Sequence, residues 1–268
     1  MSRAILAIHA HPDDVEFLAG GTLAHLAARG HRITIVTMTP GDCGSRRHAP
    51  EEIAAIRRLE ASNAAQLIGA RYRCAEFRDL AVFSDDDSRR RVTEVLRELR
   101  PEMVITASPV DYLCDHESTS ELVRDACFAA PIPNYRTRAG SPAPPLPAIP
   151  HLYFADSLGG LDRDERPLLA DFYVDVAAHF RTKTAMLAEH KSQREWLLEH
   201  HGMDNYLVEM EKFSREMGRR GGLQLAEGFR RYRGHPYPQT PLLEELIGAE
   251  WLRAGRLPLE FAARQGSG

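Results

Sequence analysis

The stretch Ala4-Ile5-Leu6-Ala7-Ile8-His9-Ala10-His11-Pro12-Asp13-Asp14 runs from an apolar segment into a knot of polar side chains. Residues 4–9 predict a short buried strand, and 15–29, with Gly20-Gly21 inside, predict a helix. An imidazole and two carboxylates therefore converge at the C-terminal end of a first strand, the edge where open α/β sheets bind ligands. Imidazole nitrogen and carboxylate oxygen together suit a divalent transition metal, zinc above all. A further carboxylate beside two ligands is what a metal-held water needs as its base. Read alone, the stretch has an equally plain structural meaning: a packed histidine, and an Asp-Asp pair capping a helix. The rest of the chain decides between them.

Outward from this segment, strand and helix patterns alternate. Arg32 to Met38 is β-branched and predicts a second strand. Glu51 to Leu67 predicts an amphipathic helix with Ile53, Ile56, Leu59 and Ala64 on one side and Gly69 as its stop. Strands are expected at 71–77 and 103–107, and helices over 89–99 and 118–129. This rhythm predicts an α/β fold: a Rossmann-like, doubly wound, mostly parallel sheet with right-handed crossovers. Residues 131–150 hold seven prolines and predict a long irregular excursion. Two further strands are expected at 151–156 and 172–176. A mainly helical C-terminal part (177–247) follows, with a break near His200-His201-Gly202 and a turn-rich segment around Ala226 to Pro236. With no internal repeat, residues 1–268 are expected to form a single domain.

Bulk properties narrow the function classes. A net charge of −4 and ordinary apolar and charged fractions (43% and 27%) carry no nucleic-acid or anionic-membrane signature. No apolar run approaches the roughly 18–20 residues that span a bilayer, and the N-terminal residues lack signal-peptide character. Cys43, Cys74, Cys114 and Cys127 form no Cys-x-x-Cys pair, so free thiols and a cytoplasmic location are expected. Cys114 reads as a small buried filler.

The fourth strand is followed by Ser108-Pro109-Val110-Asp111-Tyr112-Leu113-Cys114-Asp115-His116-Glu117. This loop occupies the same topological place as the first motif. If strands one and four adjoin, His116 reaches the metal held by His11 and Asp14. Two histidines and one carboxylate leave coordination positions open, as catalytic zinc sites do.

Three segments in this order resemble the PIG-L/LmbE family of zinc-dependent de-N-acetylases, which remove acetyl groups from N-acetylated amino sugars. They are Ala10-His11-Pro12-Asp13-Asp14-Val15-Glu16, then Thr37 to Ser45 with Arg57-Arg58-Leu59-Glu60, and Asp111 to His116 leading into Thr119-Ser120. The resemblance covers roughly residues 4–130. It implies zinc ligands at His11, Asp14 and His116, Asp13 as the catalytic carboxylate, and Arg57 as a substrate-holding arginine. The substrate expected on this basis is a small N-acetylated sugar or glycoconjugate, with no nucleic-acid or membrane partner, and with self-association into a homo-oligomer as in relatives. In mechanism, zinc lowers the pKa of bound water to roughly 7, Asp13 takes the proton as the water attacks, and the metal shares the oxyanion's charge.

One departure stands out. Leu113-Cys114-Asp115-His116 replaces the family's common His-Pro-Asp-His, whose first histidine helps the oxyanion or the leaving amine. Leucine donates no hydrogen bond, so a substitute is expected from His235, from Tyr112, a candidate substrate contact, or from His200-His201. His9 reads as a buried, hydrogen-bonded histidine, Asp115 as either an orienting carboxylate or a cap, and Gly41 to Ser45 as either a sugar-binding loop or a plain turn. Competing readings keep the zinc but cleave another amide, keep the metal without catalysis, or take the chain as a nucleotide-binding domain. The last lacks Gly-x-Gly-x-x-Gly at the first turn.

Overall fold

The computed structural model describes residues 1–201 and 205–255. Five strands, β1 (Ala4–His9), β2 (Arg32–Thr37), β3 (Arg71–Cys74), β4 (Met103–Thr106) and β5 (His151–Ala155), pair in parallel. The helices between them are α1 (Asp14–Ala28), α2 (Pro50–Gln66), α3 (Asp86–Leu99) and α4 (Cys114–Ala129). Sheet order is β3-β2-β1-β4-β5, continued by β7 (Ala226–Arg231), β6 (Phe172–Asp175) and β8 (Leu252–Ala254). These last three join through antiparallel pairings. The α/β, mostly parallel, doubly wound architecture read from the sequence is the one observed. β1 and β4 are neighbours, with Ile8 opposite Thr106, so the loops after them open side by side.

Residues 177–247 are less uniformly helical than expected. They contain α5 (Phe180–Ala188), α6 (Lys191–His201), α7 (Tyr206–Gly221) and α8 (Leu242–Ile247), but also β7 in mid-sheet. Ala226 to Arg231 looks turn-like because it carries Gly228 and charged side chains at Glu227, Arg230 and Arg231. Glu227 is fully buried and pairs with Lys183 Nζ at 2.7 Å, and its carboxylate also accepts the Gly21 and Thr22 N–H groups of α1 at 2.8 Å. Gly21 is required at that crossing. A Cβ there would lie 2.7 Å from Val176 Cβ, well inside contact distance.

Two local expectations change. On α2 the buried stripe is Ile53, Ala54, Arg57, Ala61, Ala64 and Ala65, whereas Leu59 is exposed. A guanidinium takes the place of an aliphatic side chain because it serves the site described below. Cys114, expected to be a buried filler, is exposed at the first position of α4. The proline-rich segment packs on α3: Thr137 Oγ1 and the Ala143 N–H donate to Glu94, and Arg97 donates to the Ala130 and Ile132 carbonyls. None of its residues lines the main cleft. Among the described residues no helix is long and apolar enough to cross a membrane.

Candidate metal centre

His11 and Asp14 leave the end of β1 and enter α1, and His116 sits in the first turn of α4. His116 Nε2 lies 3.3 Å from His11 Nδ1 and 3.4 Å from Asp14 Oδ1, and His11 Nδ1 is 3.5 Å from Asp14 Oδ2. The far ring nitrogens are tied to carboxylates, His11 Nε2 to Asp115 at 3.1 Å and His116 Nδ1 to Asp111 at 3.0 Å. Ionised carboxylates only accept, so those far nitrogens carry the ring protons. In neutral rings the two facing nitrogens are then bare lone pairs, and Asp14 adds a third acceptor. Three acceptors converging this closely repel one another unless a cation lies between them. The donor set of two imidazoles and a carboxylate, with each imidazole oriented by an outer carboxylate, matches what a divalent transition ion requires.

Charge in the cluster follows from the same contacts. Burial works against a charged His11, yet the bonds to Asp115 and Asp14 outweigh it and raise its pKa to about 10. Burial likewise opposes ionised Asp14, but His116 and His11 hold that carboxyl well below the usual carboxylate range. His9 is buried, its pKa lowered to about 4 by that burial, and its Nε2 finds no partner. The hydrogen bond expected for His9 at that atom is absent.

Asp13 adopts a left-handed backbone (φ 98°) at the cap of α1, yet its side chain does not cap the helix. Non-glycine residues there are strained and concentrate at functional sites. The strain turns the carboxylate away from the helix and into the cleft. Its Oδ2 accepts from Tyr206 Oη at 2.5 Å, and its Oδ1 stands 3.8 Å from Arg57 Nη2. Burial, assisted by neighbouring Asp14 and opposed by Arg57, pushes its pKa up to about 6. Arg57 is 3% exposed and donates to the Pro12 carbonyl at 2.9 Å. Gly41, at φ 78°, and Gly44 let the 41–45 turn pass over this guanidinium; a Cβ at either would fall 2.5 Å from it.

These residues form the floor of a cleft of about 750 Å³, within the usual range for small-molecule sites. Its walls include Cys43 and Gly44 of the turn after β2, Asp79, and side chains of α6 and α7. Asp42, Cys43 and Asp79 form a second acidic group. Their carboxylates are engaged in tying loops together: Asp79 accepts from Thr39 Oγ1 and the Cys43 N–H, and Asp42 from Arg78 and the Asp79 N–H.

The family description PIG-L: GlcNAc-PI de-N-acetylase matches residues 6–127. Residues 6–127, a little under half of this chain, therefore resemble the PIG-L family. A 1D-myo-inositol 2-acetamido-2-deoxy-alpha-D-glucopyranoside deacetylase of Corynebacterium diphtheriae is 32% identical over 133 residues, 39% of this chain and 44% of that one. The chain thus spans less than half the length of this relative. A 4-oxalmesaconate hydratase of Pseudomonas putida is 25% identical over 193 residues, 69% of this chain and 72% of that one. Among solved structures, the N,N'-diacetylchitobiose deacetylase of Pyrococcus horikoshii superposes with a TM-score of 0.70 at 25% identity, covering 89% of this chain and 88% of that one.

Within the matched residues the structure brings His11, Asp13, Asp14, Arg57, Tyr112, Leu113 and His116 to one cleft. Asp115 orients His11 and also accepts the Leu80 N–H at 2.7 Å, so it links two loops rather than capping α4. Tyr112 lies edge-on to the His116 ring, 5.5 Å between centroids. His235, expected to assist at the site, stands outside this chain's own cleft. β7 runs antiparallel to β5, with Ala155 opposite Phe229, Tyr153 opposite Arg231, and Tyr232 N–H donating to the Leu152 carbonyl. Following the chain towards 235 therefore leads away from the carboxyl edge of the sheet, and His235 is exposed and absent from the cleft. The side chains of His200 and His201 lie outside the described residues. Sequence reasoning missed Tyr206, 193 positions from Asp13, and the role of Asp111. It also missed buried His190, which faces Glu16 of the first motif at 3.6 Å. Nothing in the local sequence around Tyr206 or His190 marks either one. Asp111, by contrast, lay within the quoted loop, five residues before His116, where a carboxylate for the far ring nitrogen belongs.

Proposed function

We propose that this chain is a metal-dependent, in the first instance zinc-dependent, amidohydrolase that removes an acetyl group from an N-acetylated amino sugar or glycoconjugate. The observation carrying the proposal is the His11, Asp14 and His116 cluster with ionisable Asp13 beside it at the floor of a cleft. An ion held by those three residues would polarise the amide carbonyl and acidify the water that attacks it. Asp13 stands next to this point, outside the ligand set, where it takes the proton from the attacking water. A carboxyl poised near neutrality by burial is suited both to accept that proton and to return it to the departing amine. Tyr206 and Arg57 keep its oxygens oriented, and Tyr206 also lines the cleft. With Leu113 unable to donate, Tyr112 is the remaining hydroxyl donor among the described residues lining the cleft, because Tyr206 gives its single O–H to Asp13. Asp111 and Asp115 fix the ligand rings, and α1 and α4 set their spacing.

The identity with the Corynebacterium deacetylase supports the amide reading, and so does the likeness to the diacetylchitobiose deacetylase. A second reading is hydration, raised by the match to the Pseudomonas hydratase over 193 residues, although a deacetylase of Nocardia farcinica matches over 242 residues at 28% identity. The charge lining the cleft weighs against an anionic substrate. Asp79, Glu209 and Glu216 join the two site aspartates, and of the two cations there Lys212 is paired with Glu209 at 2.7 Å.

The test is acetate release from a panel of N-acetylglucosamine derivatives by zinc-loaded protein, with Asp13→Asn as control. Release that disappears in the variant supports de-N-acetylation. With zinc bound at one per chain and no release, another amide becomes the substrate. Water addition to an unsaturated oxo acid, lost in the same variant, would favour the second reading.

A further inference from the structure

The cleft is more apolar than a bare amino sugar requires. Beyond the metal ligands, α1 contributes Phe17 and Leu18, α6 contributes Trp196 and Leu197, and α7 contributes Phe213. Phe17 stacks at a tilt against both Tyr206 and Phe213, with ring centroids 5.8 and 5.6 Å apart, giving a continuous aromatic wall that starts beside Asp13. Across the opening stand Leu80, Tyr112 and Leu158, exposed at 61%, 68% and 41%. Single exposed apolar side chains are ordinary, but several gathered on the rim of one cavity mark a binding groove. Polar groups share these walls, with Gln193 of α6 and Glu209, Lys212 and Glu216 of α7 in the lining, and the candidate metal ligands, Arg57, Asp79 and Gly44 complete it. A cavity of about 750 Å³ that has the candidate metal ligands in its lining and walls in which apolar side chains predominate suits an amphiphile, a drug-sized molecule whose two halves differ.

Resting on the amidohydrolase reading, we propose that the substrate is an amide carrying an apolar arm, an aliphatic chain or aromatic group several carbons long. The arm lies between α1, α6 and α7 against Phe17, Trp196, Leu197 and Phe213 while the amide sits at the metal centre. It arises either from the acyl group or from the aglycone of the sugar. Both have the same chemistry in the cleft, and the test separates them. Leu113 belongs to this design as well, since it places an apolar surface beside the metal ligands where a histidine would place a polar one.

The experiment measures kcat/KM over two homologous series held below their critical micelle concentrations. One is methyl to octyl glycosides of N-acetylglucosamine; the other is N-acetyl to N-octanoyl glucosamine. Burial of each methylene is expected to raise kcat/KM by about two- to fourfold in one series, and the series that rises identifies the source of the arm. Trp196→Ala and Phe213→Ala should flatten that slope. Hydrolysis of the shortest members with no rise in either series overturns the proposal and leaves the deacetylase reading standing. If nothing is hydrolysed, that reading fails, and binding decides the proposal. Trp196 fluorescence in a Trp251→Phe background is then titrated with the same glycosides and acyl glucosamines. Affinity that grows with chain length upholds the apolar arm, and length-independent or absent binding overturns it.

Discussion

The two halves of the sheet are built on different logics. From β1 to β5 the strands run parallel, are buried almost throughout except for the edge strand β3, and release their loops at one edge, where His11, Asp14 and His116 meet. From β6 to β8 the pairings are antiparallel, the inward positions are partly charged, and none of the described residues joins the candidate metal cluster. The second half nevertheless reaches back into the first. Tyr206 bonds Asp13, the Lys183–Glu227 pair seats on α1, and α6 and α7 wall the cleft. The first half therefore holds the reacting groups, and the second sets their surroundings. Division of labour of this kind can be broken one residue at a time.

The largest effect is expected at Asp13. Asp13→Asn should retain the metal, as measured by bound zinc per chain, and lower kcat by about 10²–10⁴, the usual contribution of a positioned base. A variant that keeps its turnover would remove Asp13 from the chemistry. Next comes the join between the halves. Lys183→Met leaves Glu227 as an unpaired buried charge and should cost about 3–5 kcal/mol in thermal or denaturant unfolding. Adding Glu227→Gln should recover part of that loss, and an unchanged melting temperature in the single variant would mean that the pair does not secure α1.

Within the first half, Asp111→Asn frees the His116 ring and should weaken metal binding by about 10–100-fold in a chelator competition. Across the boundary, Tyr206→Phe removes a short hydrogen bond to a carboxylate. Such bonds contribute about 1.5–3 kcal/mol, so kcat should fall by roughly one to two orders of magnitude with metal content intact. An unaffected kcat would confine catalysis to the first half. Smallest of all, His235→Ala should leave kcat/KM within about twofold, because β7 carries that residue away from the site. A large loss there would mean that a second subunit delivers it.

Legibility differed between the halves for a physical reason. The strand–helix alternation and the pairing of His11 with Asp14 could be read because those neighbours in sequence are also neighbours in the site, and His116, 105 residues away, could be added because the alternation implied that β1 and β4 adjoin. β7 was not readable as a strand. Its Glu227 is satisfied by Lys183 and by two amides of α1, and Gly228 is small because a Cβ there would strike Asp156 Oδ2 at 2.1 Å. Both reasons lie far away along the chain. Arg57 stood on the expected helix but on an unexpected face, because its partner is the Pro12 carbonyl.

By itself, then, the sequence determined the parallel α/β frame, the metal-binding cluster and the carboxylate beside it. Local periodicity and short-range motifs are sufficient to set those features. Only the tertiary structure decided what holds Asp13, which apolar residues line the cleft, and that His235 lies outside the chain's own cleft. Each of these depends on long-range register, where a strand's direction and not its composition determines which side chains meet.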